Sequence, residues 1–200
     1  MVFGNHVNTP TQLTLLRLLV SPFILPIFLY LLLPYDNFFI NSTLAFLFIL
    51  LSLTDFFDGY LARRYSQETK IGKSLDHVAD KFLVYATLVV LLAVKKIFFY
   101  WVIIFIGREF FVMALRIVAL EHNLQVPVSA FGKIKTATQM ALLTFLIINP
   151  YQHDSLAYAP YWWFVNSFLI FLALFFSLFS AFLYALSFWR VFSVLHIKQS

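Results

Sequence analysis

Four aspartates lie between residues 55 and 80, in a part of the chain that is otherwise flanked by apolar segments. Asp55 and Asp58 are three residues apart, and Asp76 and Asp80 are four apart, so on helices each pair lies on one helical face. Unpaired carboxylates at the edge of a membrane are costly and require a strong positive counter-charge. Carboxylate oxygens suit Mg²⁺ or Mn²⁺, and two such ions about 3.5 to 4 Å apart can hold a diphosphate. The spacing therefore predicts metal-dependent phosphate chemistry.

Two other interpretations of these aspartates remain open at this point. Each could be a helix cap or an ion-pair partner of a nearby basic residue, such as Arg64, Lys73 or Lys81. Carboxylates also occur inside pumps and channels, although they are then usually buried near the middle of the membrane. Four carboxylates at these intervals favour the metal site over either alternative.

Small residues and one arginine accompany the aspartates. Gly59, Ala62 and Gly72 have little or no side chain, which lets a ligand or a neighbouring helix approach the backbone. Arg63 is placed to reach a phosphate or a nucleotide, although a basic residue that anchors the cytoplasmic face has the same appearance.

A second set of basic residues, Arg108, Arg116, Lys133 and Lys135, is suited to bind the phosphate of a small acceptor. Neighbours on a helix are rotated by about 100°, so we expect Arg108 to find a partner other than Glu109. Lys133 and Lys135 are about 200° apart on a helix and cannot both point inward. We favour Lys135 as the ligand, with Lys133 acting from the loop.

The composition indicates an integral membrane protein. Of 200 residues, 62% are hydrophobic and 12% are charged, with 26 Phe and a net charge of +5, which leaves too little polar surface for a water-soluble core. The absence of cysteine excludes thiolate metal sites. The amino terminus lacks the basic start and cleavage site of a signal peptide, so we expect the first apolar segment to stay as a helix. No nucleic-acid partner is expected.

Six continuous apolar segments are long enough, with some polar residues facing protein, to be transmembrane helices. Their continuity disfavours alternating β-strands. The predicted fold is all-α, a polytopic single domain over residues 1–200 with six transmembrane helices. The segments are 11–33, 38–61, 74–94, 97–120, 133–149 and 161–189.

The basic residues predict the orientation of these helices, because Lys and Arg in short loops stay on the cytoplasmic side. With the amino terminus inside, nine of them fall on the cytoplasmic face and only Lys95 and Lys96 on the opposite one. Both termini and the aspartate-rich segment are therefore expected to face the cytoplasm.

The acidic segment as a whole resembles the signature of the CDP-alcohol phosphatidyltransferases at all eight fixed positions. The resemblance implies a six-helix membrane enzyme in which an alcohol displaces CMP from a CDP-linked lipid. It also implies two divalent ions held by Asp55, Asp58 and Asp76, with Asp80 completing the site and acting as general base. The residues implied to line the nucleotide pocket are Gly59, Ala62, Arg63 and Gly72.

The resemblance extends to three further segments. Residues 8–17 resemble the amino-terminal entry of that family, whereas residues 107–116 and residues 131–136 look like its glycerol-phosphate branch. This likeness implies CDP-diacylglycerol and sn-glycerol 3-phosphate as substrates, membrane lipids as surroundings, and the cell (inner) membrane as location. It is compatible with a homodimer. Two positions depart from the pattern, since His77 stands where proline is common and Thr11 where asparagine is frequent.

Three alternative functions remain at this stage. The same chemistry could use another acceptor, such as inositol phosphate or phosphatidylglycerol. An intramembrane prenyltransferase also uses aspartate-rich segments with Mg²⁺, but it does not require the glycines, Ala62 and Arg63 at these intervals. A cation carrier would move metal without releasing CMP.

Overall fold

The computed structural model describes the backbone of residues 23–64, 70–122, 124, 126, 131–149 and 159–199, and the side chains of 23–53, 81–122, 124, 126, 131–149 and 161–193. The helices are α1 (residues 23–32), which continues into a 3-10 turn at Leu33–Tyr35, α2 (Phe38–Arg64), α3 (Lys70–Ala93), α4 (Phe99–Glu121), α5 (Phe131–Ile148) and α6 (Ala159–Gln199). By contacts the chain divides into unit 1, residues 1–96 with 144–153, and unit 2, residues 97–143 with 154–200.

The predicted all-α class is confirmed over the described ranges, in which every regular element is helical. The five predicted segments from residue 38 onward coincide with α2 to α6, with most ends displaced by only a few residues. The segment 11–33 is helical from residue 23, and its first twelve residues lie outside the described part. The main difference is α6, which continues to Gln199 rather than ending at residue 189. Its physical reason is that Arg190 ends the uncharged run without interrupting the helical backbone, since arginine is a good helix former.

Polar side chains and left-handed residues mark the helix ends of unit 1. The Oδ1 of Asn37 accepts from the backbone N–H of Phe39 at 2.9 Å and caps the start of α2. After α3, the N–H of Lys96 donates to Leu91 O at 2.8 Å and the N–H of Lys95 to Leu92 O at 3.0 Å. This is a Schellman ending, with Lys95 at φ 59° in the position that usually holds glycine.

The core of unit 1 forms where α2 packs on α3 and where α1 adds its buried leucines. Leu29 of α1, Phe48 of α2, and Leu88 and Leu91 of α3 are fully buried. A ring contact between Phe23 and Phe82, with centroids 6.3 Å apart, joins α1 to α3. These contacts support the two helices that carry the aspartates.

The core of unit 2 is the packing of α4 against α6. Phe105 and Val112 of α4 are buried, as are Ala173, Ala181 and Tyr184 of α6. Val112, Ala181 and Tyr184 form one cluster. The small residues of α6 leave room for larger side chains of α4 beside its backbone.

Two helices of the described part are long and apolar enough to cross a membrane, judged by length and composition: Phe131–Ile148 and Tyr161–Ser193. Shorter apolar helices occupy Phe23–Tyr35, Phe38–Leu53 and Lys81–Ala93. Large apolar side chains such as Phe39, Phe110 and Phe171 are exposed, as expected where lipid rather than water covers the surface. Together with the composition, these features indicate a membrane protein.

Candidate active site and family

The two acidic pairs lie on continuous helix. α2 runs through Asp55 and Asp58 to Arg64, and α3 runs from Lys70 through Asp76 and Asp80. The three-residue and four-residue intervals are therefore helical spacings, as predicted, and each pair shares a helix face. The side chains of these four residues fall outside the described part. Among the side chains that are described, no group of three His, Asp or Glu could hold a metal ion.

The residues predicted to line a nucleotide pocket flank the connection between the same two helices. Gly59, Ala62 and Arg63 belong to the last two turns of α2, and Gly72 to the first turn of α3. Like the aspartates, they belong to unit 1. Their side-chain surroundings also lie outside the described residues.

Arg108 of α4 lies against α6 in unit 2. Its Nε donates to the backbone carbonyl of Ser177 at 2.9 Å, and its Nη2 donates to Ser180 Oγ at 2.5 Å. Its Nη1 donates to Glu109 Oε1, in an ion pair whose two side chains are 9% and 8% exposed. The expectation that Arg108 finds a partner other than Glu109 is confirmed by Ser177 and Ser180, but the arginine also pairs with Glu109. The long arginine side chain bends back toward its neighbour, which the angle between the two Cα–Cβ directions does not prevent.

Glu109 joins this arginine to a lysine of α5. Lys135 Nζ also donates to Glu109 Oε1, and the lysine side chain is only 12% exposed. Lys133 is exposed, so the prediction that the two lysines cannot both point inward is confirmed. The expectation that Lys133 acts from the loop is wrong, because α5 already begins at Phe131 and includes it. We call Arg108, Glu109, Lys135, Ser177 and Ser180 the Glu109 cluster. Arg116, two turns further along α4, is half-buried.

A buried amine in unit 1, that of Lys96, was not identified from the sequence. It is 8% exposed, and its Nζ donates to the backbone carbonyls of Asn149 at 2.6 Å and Ile147 at 3.3 Å. Burial lowers the pKa of Lys96 to about 8, although the Asp36 carboxylate acts in the opposite direction. Burial also raises the pKa of Asp36, which Lys96 opposes. In the sequence, Lys96 contributed only to the count of basic residues.

Ser177 and Ser180 were also missed, because α6 was interpreted only as a generic membrane helix. Both are buried, at 1% and 3% exposure. The signal that could have found them is their spacing: residues three apart on an apolar helix share a face. Together with Ala173 and Ala181, they indicate a face suited to close packing against a polar group.

Comparisons with known proteins identify the family. The profile of the CDP-alcohol phosphatidyltransferases matches residues 7–179. A protein of Rickettsia typhi named CDP-diacylglycerol--glycerol-3-phosphate 3-phosphatidyltransferase is 38% identical over 147 residues, which cover 71% of this chain and 77% of the relative. A protein of the same name from Escherichia coli strain K12 is 39% identical over 149 residues, covering 72% and 78%. The matched region contains both acidic helices and the basic residues of α4 and α5, and the chain belongs to the CDP-alcohol phosphatidyltransferase family.

Proposed function

We propose that this protein transfers the phosphatidyl group of CDP-diacylglycerol to sn-glycerol 3-phosphate, forming phosphatidylglycerol phosphate and releasing CMP. The observation that carries the proposal is the identity of 38 to 39%, over more than two thirds of both chains, to proteins named CDP-diacylglycerol--glycerol-3-phosphate 3-phosphatidyltransferase. The eight signature positions and the basic residues after residue 107 agree with it. The protein is thus a transferase of phospholipid biosynthesis.

Asp55, Asp58, Asp76 and Asp80 would hold two divalent ions, Mg²⁺ or Mn²⁺. The donor set fits, because carboxylate oxygens are the ligands that such hard cations prefer, and members of the family generally use divalent metal ions. When bound, the ions supply positive charge that stabilises the diphosphate and the departing CMP. Gly59, Ala62, Arg63 and Gly72 would form the nucleotide pocket, where small residues admit the ligand and the guanidinium binds phosphate.

Asp80 is the proposed general base. It would accept the proton of the attacking glycerol hydroxyl, one helical turn beyond Asp76. The hydroxyl oxygen then bonds to the phosphorus that carries diacylglycerol, and the bond from that phosphorus to the CMP oxygen breaks. The proton stays on Asp80, and both electrons of the broken bond leave with CMP, so the step is balanced without a redox partner.

The phosphate of the acceptor would be bound by Arg108, Arg116, Lys133 and Lys135. Support comes from unit 2, where Arg108 and Lys135 converge on one carboxylate. Arginine and lysine are the usual ligands of phosphate monoesters. A set of four cations suits a small phosphorylated alcohol better than a neutral acceptor.

The chain would act as a single membrane domain with six transmembrane helices, and the unbroken family match over residues 7–179 supports one domain. The nine-to-two distribution of basic residues supports cytoplasmic termini and a cytoplasmic active site in the cell (inner) membrane. A homodimer is part of the same proposal.

The test is an assay of the purified protein in detergent with CDP-diacylglycerol and Mg²⁺, with each acceptor added separately. CMP release together with a new lipid phosphate is expected with glycerol 3-phosphate. Faster turnover with inositol phosphate or phosphatidylglycerol would show that the acceptor is not glycerol 3-phosphate. Transport of metal without release of CMP would indicate a cation carrier. Absence of CMP with every acceptor would refute the transferase.

The roles of the aspartates are separable by substitution. Asp80→Asn should abolish turnover and retain more nucleotide binding than Asp58→Ala, because only the latter removes a proposed metal ligand without a replacement oxygen. Binding of a CDP analogue measured on both variants provides the comparison. An equal loss of binding would contradict the assignment of Asp80 as base.

A further inference from the structure

A buried carboxylate in unit 2 is shared by two cations. Glu109 is 7% exposed, and its Oε1 accepts from both Arg108 Nη1 and Lys135 Nζ. Two positive groups and one negative group leave the trio with one net positive charge. A buried cation without a partner is strongly disfavoured, so the carboxylate allows two cations to be held side by side.

The arginine of this trio is fixed from a third helix. Ser177 and Ser180 of α6 accept from two other nitrogens of Arg108, and Ser180 Oγ itself donates to Ser177 O at 3.0 Å. The guanidinium therefore uses three donor nitrogens on fixed protein acceptors. Lys135 is different, because its ammonium has three donors on a flexible side chain, and its contact with the Glu109 carboxylate holds the ammonium beside Arg108.

We propose that Glu109 is a positioning residue for binding of the acceptor's phosphate, because its carboxylate holds the Lys135 ammonium beside the fixed guanidinium of Arg108. This inference rests on the proposed function and adds to it a residue that does not itself bind phosphate. A carboxylate repels a phosphate dianion, so Glu109 acts through Lys135. The arrangement orders a long, flexible lysine side chain before the acceptor arrives, so that less conformational entropy is lost on binding.

A positioning role has a specific kinetic consequence. Loss of the carboxylate leaves two neighbouring cations that repel, and the Lys135 ammonium loses the acceptor that holds it beside Arg108. Binding of the acceptor's phosphate then weakens, whereas the nucleotide end of CDP-diacylglycerol is recognised by other residues. The KM for glycerol 3-phosphate should rise while the KM for CDP-diacylglycerol stays within about twofold.

The experiment measures both KM values for the wild type, Glu109→Gln and the control Glu121→Gln in detergent with Mg²⁺. Glu121 lies on the same helix and is exposed, so its substitution removes the same charge from an unrelated place. Glu109→Gln is expected to raise the KM for glycerol 3-phosphate on the order of tenfold or more, and Glu121→Gln to leave it unchanged. An unchanged or lowered acceptor KM in Glu109→Gln would overturn the inference.

A double-substitution cycle separates positioning from structural support. If Glu109 acts through Lys135, then Lys135→Met alone and Lys135→Met with Glu109→Gln should show the same acceptor KM. If the increases in acceptor KM caused by the two single substitutions multiply in the double variant, the inference is overturned. A fall in kcat with both KM values unchanged would also overturn it. Glu109→Asp retains the charge on a shorter side chain and should give an intermediate acceptor KM, which keeps the test decisive if Glu109→Gln cannot be purified. A wild type that releases no CMP would instead refute the proposed function.

Discussion

One buried lysine and one partly buried lysine of this protein meet different acceptors. Lys96, in unit 1, donates to two backbone carbonyls at the end of α5. Lys135, in unit 2, donates to the carboxylate of Glu109, which also binds Arg108. The first lysine satisfies carbonyls that the helix leaves without intrahelical partners. The second belongs to a group of opposite charges.

The difference separates a lysine that stabilises the fold from a lysine suited to bind an anionic ligand. Carbonyl acceptors can be satisfied by an ammonium or by a neutral amine, so these two hydrogen bonds do not require the charge of Lys96. Burial lowers its pKa to about 8, against the opposing effect of the Asp36 carboxylate. A carboxylate instead stabilises the positive charge that phosphate binding needs. We therefore propose a structural role for Lys96 and binding of the acceptor's phosphate for Lys135.

The largest expected effect comes from exchanging each lysine for methionine. Lys135→Met should lower kcat/KM for glycerol 3-phosphate about 100-fold, or roughly 3 kcal/mol of transition-state stabilisation. Lys96→Met is the matched control, and its kcat/KM, measured on the folded protein, should differ from the wild-type value by less than about twofold. Steady-state kinetics on both variants make the comparison, and equal losses would remove the distinction between the two lysines.

The pH dependence of stability should identify Lys96. Its folded-state pKa, about 8, is below the ordinary value of 10.5, so between these values the unfolded chain binds more protons than the folded one. Stability should therefore rise with pH across this window, by about 1 to 3 kcal/mol from this residue. Unfolding in detergent at pH 8 and 10 measures the change. Lys96→Met should show a smaller rise, and an identical rise would contradict the assignment.

Two serines of the Glu109 cluster should differ although both are buried. Ser180→Ala removes a hydrogen bond from the charged Arg108 and should lower the free energy of unfolding by about 1 to 2 kcal/mol. Ser177 contacts Arg108 through its backbone carbonyl, and its Oγ has no hydrogen-bond partner among the described residues. The free energy of unfolding of Ser177→Ala should therefore be within about 0.5 kcal/mol of the wild-type value. Thermal unfolding of both variants tests this, and the reverse order would contradict the cluster geometry.

The smallest effect is expected beside Lys96. Lys95 adopts φ 59° at the end of α3, a conformation that costs a residue with a Cβ roughly 1 kcal/mol or more. Lys95→Gly removes this strain but loosens the unfolded chain, so a net gain of about 0.5 kcal/mol is expected. Chemical unfolding in detergent measures it, and a clear loss of stability would show that the Lys95 side chain stabilises the fold.

The helices could be predicted because the apolar segments are long and their interruptions are charged or contain turn residues. The end of α6 could not, because Arg190 ends an apolar run but tolerates helical backbone. The helical spacing of the four aspartates could be predicted for a different reason. Intervals of three and four residues within helices are preserved in the one-dimensional sequence, and the metal site that they would form stays a proposal.

Only part of the Glu109 cluster could be predicted from the sequence. The basic residues were evident, but the contact between Arg108 and Glu109 depends on how a long side chain bends, and Ser177 and Ser180 are brought to Arg108 by packing across 69 and 72 residues. The role of Lys96 likewise depends on carbonyls more than 50 residues away. Such contacts follow from tertiary packing, which local spacing does not encode.

The most direct test of the central claim is the stoichiometry of the reaction catalysed by the purified wild type. Glycerol 3-phosphate added to protein, CDP-diacylglycerol and Mg²⁺ should release CMP and form phosphatidylglycerol phosphate in a one-to-one ratio, and chelation of the metal should stop both. CMP release that does not depend on glycerol 3-phosphate, or no CMP at all, would contradict the account.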